Sequence, residues 1–229
     1  MKRREILGVV FDLYKNNLEM LVPMVLYIVS LSLAILIIVM LFLHMSFAWL
    51  PWLTTKIFWD LTVLLKLALL VVLVLIPIAA ICSAIAFGTL SKMAISAVTT
   101  GKADLKRDFK AAMEKLAPLI IVLLVTAVLA TIAMVIPLLG PALVITAFSP
   151  APILVILGAS ASKAISEALR IMGDAFNRKT EVPLMVFVIA LLSSLRMIGV
   201  IISIFGVPYA YLLLAYYIVQ ELKWVPPPP

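Results

Sequence analysis

The residues that could do chemistry in this chain are few, and two of them are basic side chains inside long apolar runs. Arg196 lies in the apolar stretch of residues 182–220, and Lys66 lies in the stretch of residues 61–90. An ionisable group inside a membrane-crossing segment is costly unless water, a partner or headgroups reach it, so it is a functional candidate. If both cations faced the interior, they would contact an anion or small anionic solute. The alternative is that both side chains extend to the outer headgroups.

Catalytic and metal-binding sets are not visible among the remaining residues. His44 is the single histidine and Cys82 the single cysteine, whereas a metal site needs roughly three or more protein ligands. Asp60 is the one acidic residue expected on the outer side of the membrane. The apolar runs hold no carboxylate that could act as an acid or base. We therefore expect no enzyme activity, no bound metal and no cofactor.

Composition indicates that these residues belong to a helical membrane protein. Hydrophobic residues make up 66% of the 229 residues and the mean hydropathy is +1.27, whereas soluble domains contain roughly 45–50% apolar residues. Several apolar runs exceed the roughly 18 residues that cross a hydrocarbon core as a helix. The expected fold is all-α, an integral membrane bundle of about six transmembrane helices in a single polytopic domain over residues 1–229.

Six apolar runs separated by polar segments or turn signals give the predicted spans. Pro77 is expected to kink the second span, and Pro150 and Pro152 interrupt the fourth, which is either a broken helix or a re-entrant segment. Gly140-Pro141 is predicted as the turn before the fourth span, and Gly206-Val207-Pro208 as the break before the sixth. The predicted spans are about 21–45, 61–90, 116–139, 142–158, 182–204 and 208–222.

The distribution of basic residues sets the predicted orientation. With the N-terminus inside, all of the 18 basic residues except Lys56, Lys66 and Arg196 fall on the cytoplasmic side, which is the positive-inside pattern. A re-entrant fourth segment would move the basic residues of the stretch 163–179 outside, so six spans are favoured. We therefore expect a multi-pass protein of the cell (plasma) membrane with its N-terminus and C-terminus in the cytoplasm.

The same one-sided distribution explains the net charge of +7. Basic residues at the cytoplasmic face attract the anionic headgroups of the lipid bilayer, and no nucleic acid is expected as a partner. A non-catalytic membrane subunit also implies contact with another protein or with further copies of itself as a homo-oligomer.

Each cytoplasmic stretch that leads into an odd-numbered span has one plan, an amphipathic helix followed by a proline and an apolar run. The predicted helices cover residues 4–18, 104–116 and 162–176. Their apolar stripes predict helices that lie in the membrane interface on the cytoplasmic side, although the third could instead extend the fourth span into solvent. The stripes comprise Ile6, Val9, Val10 and Leu13; Leu105, Phe109, Ala112, Met113 and Leu116; and Ile165, Leu169, Met172 and Phe176.

Charged residues on the third of these helices are spaced to form i,i+4 ion pairs. Lys163 is expected to pair with Glu167, and Asp174 with both Arg170 and Arg178. Three units of helix, proline and hairpin predict a weak threefold internal repeat.

Small residues at four-residue spacing predict a helix-packing ridge in the second span. Ala80, Ala84 and Gly88 form a pattern that allows two helix backbones to approach closely. We expect this ridge to pack against a neighbouring helix rather than to bind a ligand.

One segment resembles a known group of proteins. The stretch Phe11-Asp12-Leu13-Tyr14-Lys15-Asn16-Asn17-Leu18, followed by Leu21-Val22-Pro23, resembles the opening of a broad group of polytopic membrane proteins in archaea and bacteria. That group includes the membrane domain of some glycerophosphodiester phosphodiesterases. Residues 88–101 and Leu116-Ala117-Pro118-Leu119 resemble its central segment, and residues 164–178 its second interfacial helix. The resemblance implies a six-helix membrane domain of unsettled role, without the phosphodiesterase catalytic domain.

Two functions remain after these exclusions. The favoured one is a non-enzymatic integral membrane protein that serves as a scaffold or assembly subunit through helix packing and its basic cytoplasmic face. The alternative is a permease or channel subunit that moves a small or anionic solute, with the proline-broken fourth span lining the path. A transporter should direct polar side chains into a cavity, and Arg196 is the one residue that clearly meets this condition.

Overall fold

The structure, a computed structural model, describes residues 4–53 and 61–224. Within these ranges it leaves out the side chains at positions 4–5, 38, 41–53, 61–72, 74 and 196–197. The described part contains helices and no strand, which confirms the all-α class. Five of its helices are long and apolar enough to cross a membrane by length and composition, and this is compatible with a multi-pass membrane protein.

Ten α-helices follow one another in the described residues. A 3-10 turn, Leu18–Leu21, connects the first to the second, and a π-helical turn, Tyr217–Glu221, continues the last. The helices are α1 Arg4–Lys15, α2 Val22–Leu53, α3 Leu61–Thr100, α4 Leu105–Met113, α5 Leu116–Ile132, α6 Leu139–Phe148, α7 Ala151–Ile156, α8 Ala161–Arg178, α9 Glu181–Ser193 and α10 Arg196–Tyr216.

α3 is the central helix of the bundle and packs against α2, α4, α5, α7 and α10. Residues 91–100, predicted to be part of a polar segment after the second span, continue α3 without a break. This part of α3 is buried in the bundle, and Met93, Ala94 and Ala97 are completely inaccessible to solvent. Pro77 lies inside α3 and does not end it.

The connection between α5 and α6 differs from the prediction. The chain leaves α5 at Ile132 and turns at residues 136–138, whereas Gly140 and Pro141 lie in the first turn of α6. Gly140 is needed because a Cβ atom there would collide with the carbonyl oxygen of Ala133. Pro141 is tolerated because the first turn of a helix has no partner for the missing N–H. The prediction of a turn at Gly140-Pro141 is therefore wrong.

The fourth predicted span is a broken helix, with α6 ending at Phe148 and α7 beginning at Ala151. Hydroxyl groups satisfy main-chain carbonyls on the α6 side of the break. Thr146 Oγ1 donates to the carbonyl of Ala142 at 2.7 Å, and Ser149 Oγ donates to the carbonyl of Thr146 at 2.8 Å.

The break in the last apolar stretch lies twelve residues earlier than Gly206. α9 ends at Ser193, residues 194–195 form the turn, and α10 runs uninterrupted through Gly206, Val207 and Pro208. The predicted break at these three residues is wrong, because neighbouring groups within a bundle accommodate an internal proline that would end a helix in water. α9 has 13 residues and is shorter than the five candidate spans, one of which, Leu139–Ile156, consists of α6 and α7 together.

The amphipathic helices α1, α4 and α8 turn one face to the bundle and another outward. The buried faces comprise Ile6 and Val10 of α1; Asp108 and Ala112 of α4; and Ala164, Ala168, Ile171, Met172 and Ala175 of α8. Several residues of the predicted apolar stripes are instead exposed, namely Val9, Phe109, Met113, Leu169 and Phe176. In α1 the buried Ile6 and Val10 belong to the predicted stripe, whereas α8 packs largely through alanines, which allow a close approach to the bundle. The interfacial position of these helices stays a prediction.

The charge pairs predicted on α8 are also corrected. Arg170 pairs with Glu167, three residues before it, with Nε 2.9 Å from the carboxylate oxygen. Within the described residues, none of the three i,i+4 pairs predicted for this helix is an ion pair.

Candidate functional site at the basic end of the bundle

Asn17 connects two parts of the chain that lie far apart in sequence. Its Nδ2 group donates to the carbonyls of Leu13 at 2.8 Å and Gly101 at 3.2 Å, and its Oδ1 atom accepts from the N–H of Ala103 at 2.6 Å. The side chain is 3% exposed, so a buried amide is fully used by main-chain groups. Gly101 has φ of +79°, a conformation that glycine adopts at little cost.

We call the end of the bundle around residues 101–103 the basic end. The C-terminal part of the described chain reaches it as well, since Gln220 Nε2 lies 3.5 Å from the carbonyl of Val98. The connection from α1 to α2, the connection from α3 to α4, and the end of α10 therefore share one end of the molecule.

Asp108 is a completely buried carboxylate one turn from this junction. Its Oδ1 atom accepts from Ser96 Oγ at 2.9 Å and Arg107 Nε at 3.2 Å, and its Oδ2 atom accepts from the N–H of Asp104 at 3.1 Å. Asp104 in turn caps α4 by accepting from the N–H of Arg107 at 2.9 Å. A buried carboxylate is tolerated where donors surround it in this way, and these bonds fasten α4 to α3.

Tyr14 attaches α1 to α10. Its hydroxyl donates to the carbonyl of Phe205 at 2.9 Å, and its ring meets the ring of Tyr209 edge-on with centroids 5.8 Å apart. Burial raises the pKa of the Tyr14 phenol above its usual range because it disfavours the charged phenolate.

Gly88, one of the three residues of the predicted packing ridge, lies where α3 meets α5 and α4. Ala80 is half-buried, whereas Ala84 and Gly88 are buried. A Cβ atom at Gly88 would lie 2.5 Å from Leu119 Cδ1 and 3.5 Å from the Cβ of Ala112. The close approach at Gly88 agrees with the packing role predicted for this ridge.

The two candidate contacts for an anionic solute fall at positions whose side chains lie outside the described part of the chain. The backbone places Arg196 at the first residue of α10, directly after the turn at residues 194–195. The prediction that Arg196 lies within a single fifth span of residues 182–204 is therefore wrong, because α9 ends at Ser193. Lys66 belongs to α3, and a solute contact by either residue stays a prediction. The side chain of His44 is also outside the described part of the chain. Lys56 and Asp60 lie in residues 54–60, which the structure does not describe.

Sequence reasoning missed Asn17, Ser96 and Asp108 as a structural set. A signal for Asp108 was present, because it shares one helical face with Leu105 and Ala112 at spacings of three and four residues. A carboxylate on an apolar stripe indicates a buried partner. The amide of Asn17 gave no comparable signal, since its partners are main-chain groups 84 and 86 residues away.

Among the residues that the structure describes, no group of three or more His, Cys, Asp or Glu side chains could hold a metal ion. Comparisons of the chain with protein-family models, curated proteins and solved structures find no match. The fold and the junctions of the basic end define the class, an all-helical protein with several helices long enough to cross a membrane. The resemblance to the glycerophosphodiester phosphodiesterase group stays a prediction.

Proposed function

We propose that the chain is a non-enzymatic, multi-pass protein of the cell membrane that acts as a scaffold or assembly subunit. The observation that supports this most strongly is the use of its interior polar groups. Asn17 and Asp108 bind main-chain groups and side chains of adjacent helices, and so they fasten the helices to one another. A molecule built in this way presents a fixed outer surface to partners.

That outer surface is apolar over most of the bundle. Leu26 and Leu36 of α2, Val128 of α5 and Ile198 of α10 are each more than half exposed. Such a surface fits lipid tails and the apolar faces of other membrane helices. Helices associate in a bilayer through close packing, and the scaffold role uses the same contacts.

Six spans with both termini in the cytoplasm remain part of the proposal, with α9 as the fifth crossing and α10 as the sixth. Asn17 and Gln220 both lie at the basic end, which supports an even number of crossings between them. α9 and α10 are joined by two residues, so they are antiparallel neighbours. A helix of 13 residues rises about 20 Å, and local thinning of the bilayer would accommodate it.

The amphipathic helices are proposed to lie in the cytoplasmic interface of the plasma membrane. Each turns one phenylalanine outward, namely Phe11 of α1, Phe109 of α4 and Phe176 of α8. In α1 the amine of Lys15 lies 4.5 Å from the centre of the Phe11 ring. An outward aromatic ring beside basic residues is typical of helices at the headgroup level, and its threefold recurrence supports the proposed internal repeat.

The alternative, a permease or channel subunit, is supported by the break between α6 and α7, because discontinuous helices often mark solute sites. However, the hydroxyls of Thr146 and Ser149 at this break already donate to carbonyls of α6. The scaffold role therefore has the stronger support.

The test places a photoreactive residue at exposed positions on three helices, Leu36, Val128 and Ile198, in the native membrane. A scaffold should give a discrete protein adduct from one of these faces and lipid adducts from the others. Met93, which is completely buried, is the matched control and should give neither. Lipid adducts from all three faces, together with anion flux in proteoliposomes that is lost in Arg196→Leu, would replace the scaffold with the permease.

A further inference from the structure

A small groove opens between α2 and α3 where α4 crosses them. Its volume is about 110 Å³ and its walls are mostly apolar, with Leu26 and Tyr27 from α2, Ile85 from α3, and Leu105 and Phe109 from α4. A helix with its side chains is about 10–12 Å across, and one water occupies about 30 Å³ in the liquid. The groove therefore has room for part of one hydrocarbon chain and is too small for a second helix.

One polar atom in this groove has no partner. Thr89 lines the groove and is 2% exposed, yet its Oγ1 atom makes no hydrogen bond within the protein. Comparable hydroxyls are satisfied by their own helices, since Ser91 donates to the carbonyl of Phe87 at 2.6 Å and Thr126 to that of Val122 at 2.9 Å. A buried hydroxyl left unpaired is unfavourable, so an acceptor supplied by a ligand would relieve it.

Basic residues lie beside the same groove. Lys92 follows Thr89 by three residues and therefore lies on the same face of α3. On α4, Lys106 and Lys110 are exposed next to the groove-lining Phe109, whereas the acidic Asp108 is completely buried. Asp104, beside the groove-lining Leu105, is also exposed, but the three lysines outnumber it. The net charge near the groove is therefore positive and suits an anionic headgroup.

We propose that this groove is a specific site for one acyl chain of an anionic phospholipid. An oxygen of the glycerol linkage accepts from Thr89 Oγ1, and the phosphate lies among Lys92, Lys106 and Lys110. This inference rests on the membrane placement proposed above and is independent of the scaffold role, because a lipid could fill the groove of a scaffold or of a permease.

The experiment uses the full chain in nanodiscs that contain phosphatidylcholine with a trace of phosphatidylglycerol bearing a diazirine in its tail. After irradiation, mass spectrometry should locate adducts on residues 23–30 and 82–89. Labelling by phosphatidylglycerol should exceed that by a diazirine phosphatidylcholine several-fold. Thr89→Val, which keeps the shape and removes the hydroxyl, should lower this labelling several-fold. The matched control is Thr126→Val, whose hydroxyl bonds its own helix, and it should not change the labelling.

Two further variants separate the parts of the proposal. Lys92→Gln should bring the two lipids to nearly equal labelling, and Cys82→Phe, which fills the groove from α3, should abolish adducts at both peptides. Thermal unfolding in the same nanodiscs establishes that each variant is folded. Equal labelling by the two lipids in the unaltered protein would overturn the site, and so would labelling that is insensitive to Thr89→Val. Cross-links from a photoreactive residue at Leu26 to a second copy of the chain would replace the lipid with a protein interface.

Discussion

Asn17 makes three hydrogen bonds to main-chain groups from two separate connections, and this gives a sharp prediction for one residue. Asn17→Ala should lower the free energy of unfolding by about 1–3 kcal/mol, because it leaves the buried N–H of Ala103 and the carbonyl of Gly101 without partners. Thermal unfolding in nanodiscs measures the change. Asn16→Ala is the matched control, since the neighbouring Asn16 is exposed, and it should be nearly neutral. If the two variants lowered the free energy of unfolding equally, the hydrogen bonds of Asn17 would not stabilise this connection.

Two helical glycines, Gly88 and Gly173, differ in what surrounds them. Gly88→Ala should destabilise the protein because its Cβ would lie 2.5 Å from Leu119 Cδ1, and overpacking typically costs about 1–3 kcal/mol. Gly173→Ala should instead be stabilising by about 0.5–1 kcal/mol, because nothing lies within 4 Å of the added atom. Thermal unfolding distinguishes the two signs. The double variant Gly88→Ala, Leu119→Ala should lose less stability than the sum of the two single variants if this contact is the cause.

The packing residues could be predicted from the sequence, whereas the polar junctions could not. Ala84 and Gly88 follow a spacing of four that depends on helix geometry alone. Asn17 depends on Gly101 and Ala103, which the chain brings near only after α2 and α3 have packed together. No local pattern contains that information.

Helix boundaries show the same limit at the scale of elements. Apolar runs correctly predicted where the long helices lie, because burial in lipid or protein needs the same composition. The predicted positions of the helix breaks were wrong at Gly140-Pro141 and at Gly206-Val207-Pro208, where glycine and proline were interpreted as turn signals. Gly140 serves a close approach to Ala133, and Pro208 sits inside α10. In a packed bundle, neighbouring helices accommodate the defects that would end a helix in water.

The attachment of α1 to α10 through Tyr14 should depend on pH. Burial raises the pKa of this phenol, so the attachment is fully stable below the ordinary tyrosine pKa of about 10. Its stability is lost as the pH rises through the raised value, because the unfolded state releases its proton first. Proteolysis within α1 should therefore accelerate above about pH 10. Tyr14→Phe should speed proteolysis modestly at neutral pH and remove this alkaline step. A step that is unchanged in Tyr14→Phe would assign the titration to another group.

At the scale of the whole molecule, the sequence predicted a class and a direction of charge but no partner. The basic residues predict an orientation, and the apolar surface is compatible with a bilayer or a helical partner. Neither property distinguishes one partner from another, because lipid tails and apolar helices present the same chemistry. The lipid groove is different, since it combines a defined volume, an unpaired hydroxyl and nearby lysines in one place.

The proposed topology depends on whether the 13-residue helix α9 crosses the membrane, and cysteine labelling at its two ends decides this. In a Cys82→Ala background, Thr180→Cys should react with an impermeant maleimide from the cytoplasmic side only, and Ser194→Cys from the outside only. Both positions are exposed, so burial does not block the reagent. Lys102→Cys is the control for the cytoplasmic face and is preferred to Ser96, which is buried against Asp108. Reaction of Thr180→Cys and Ser194→Cys from the same side would show that α9 does not cross the membrane.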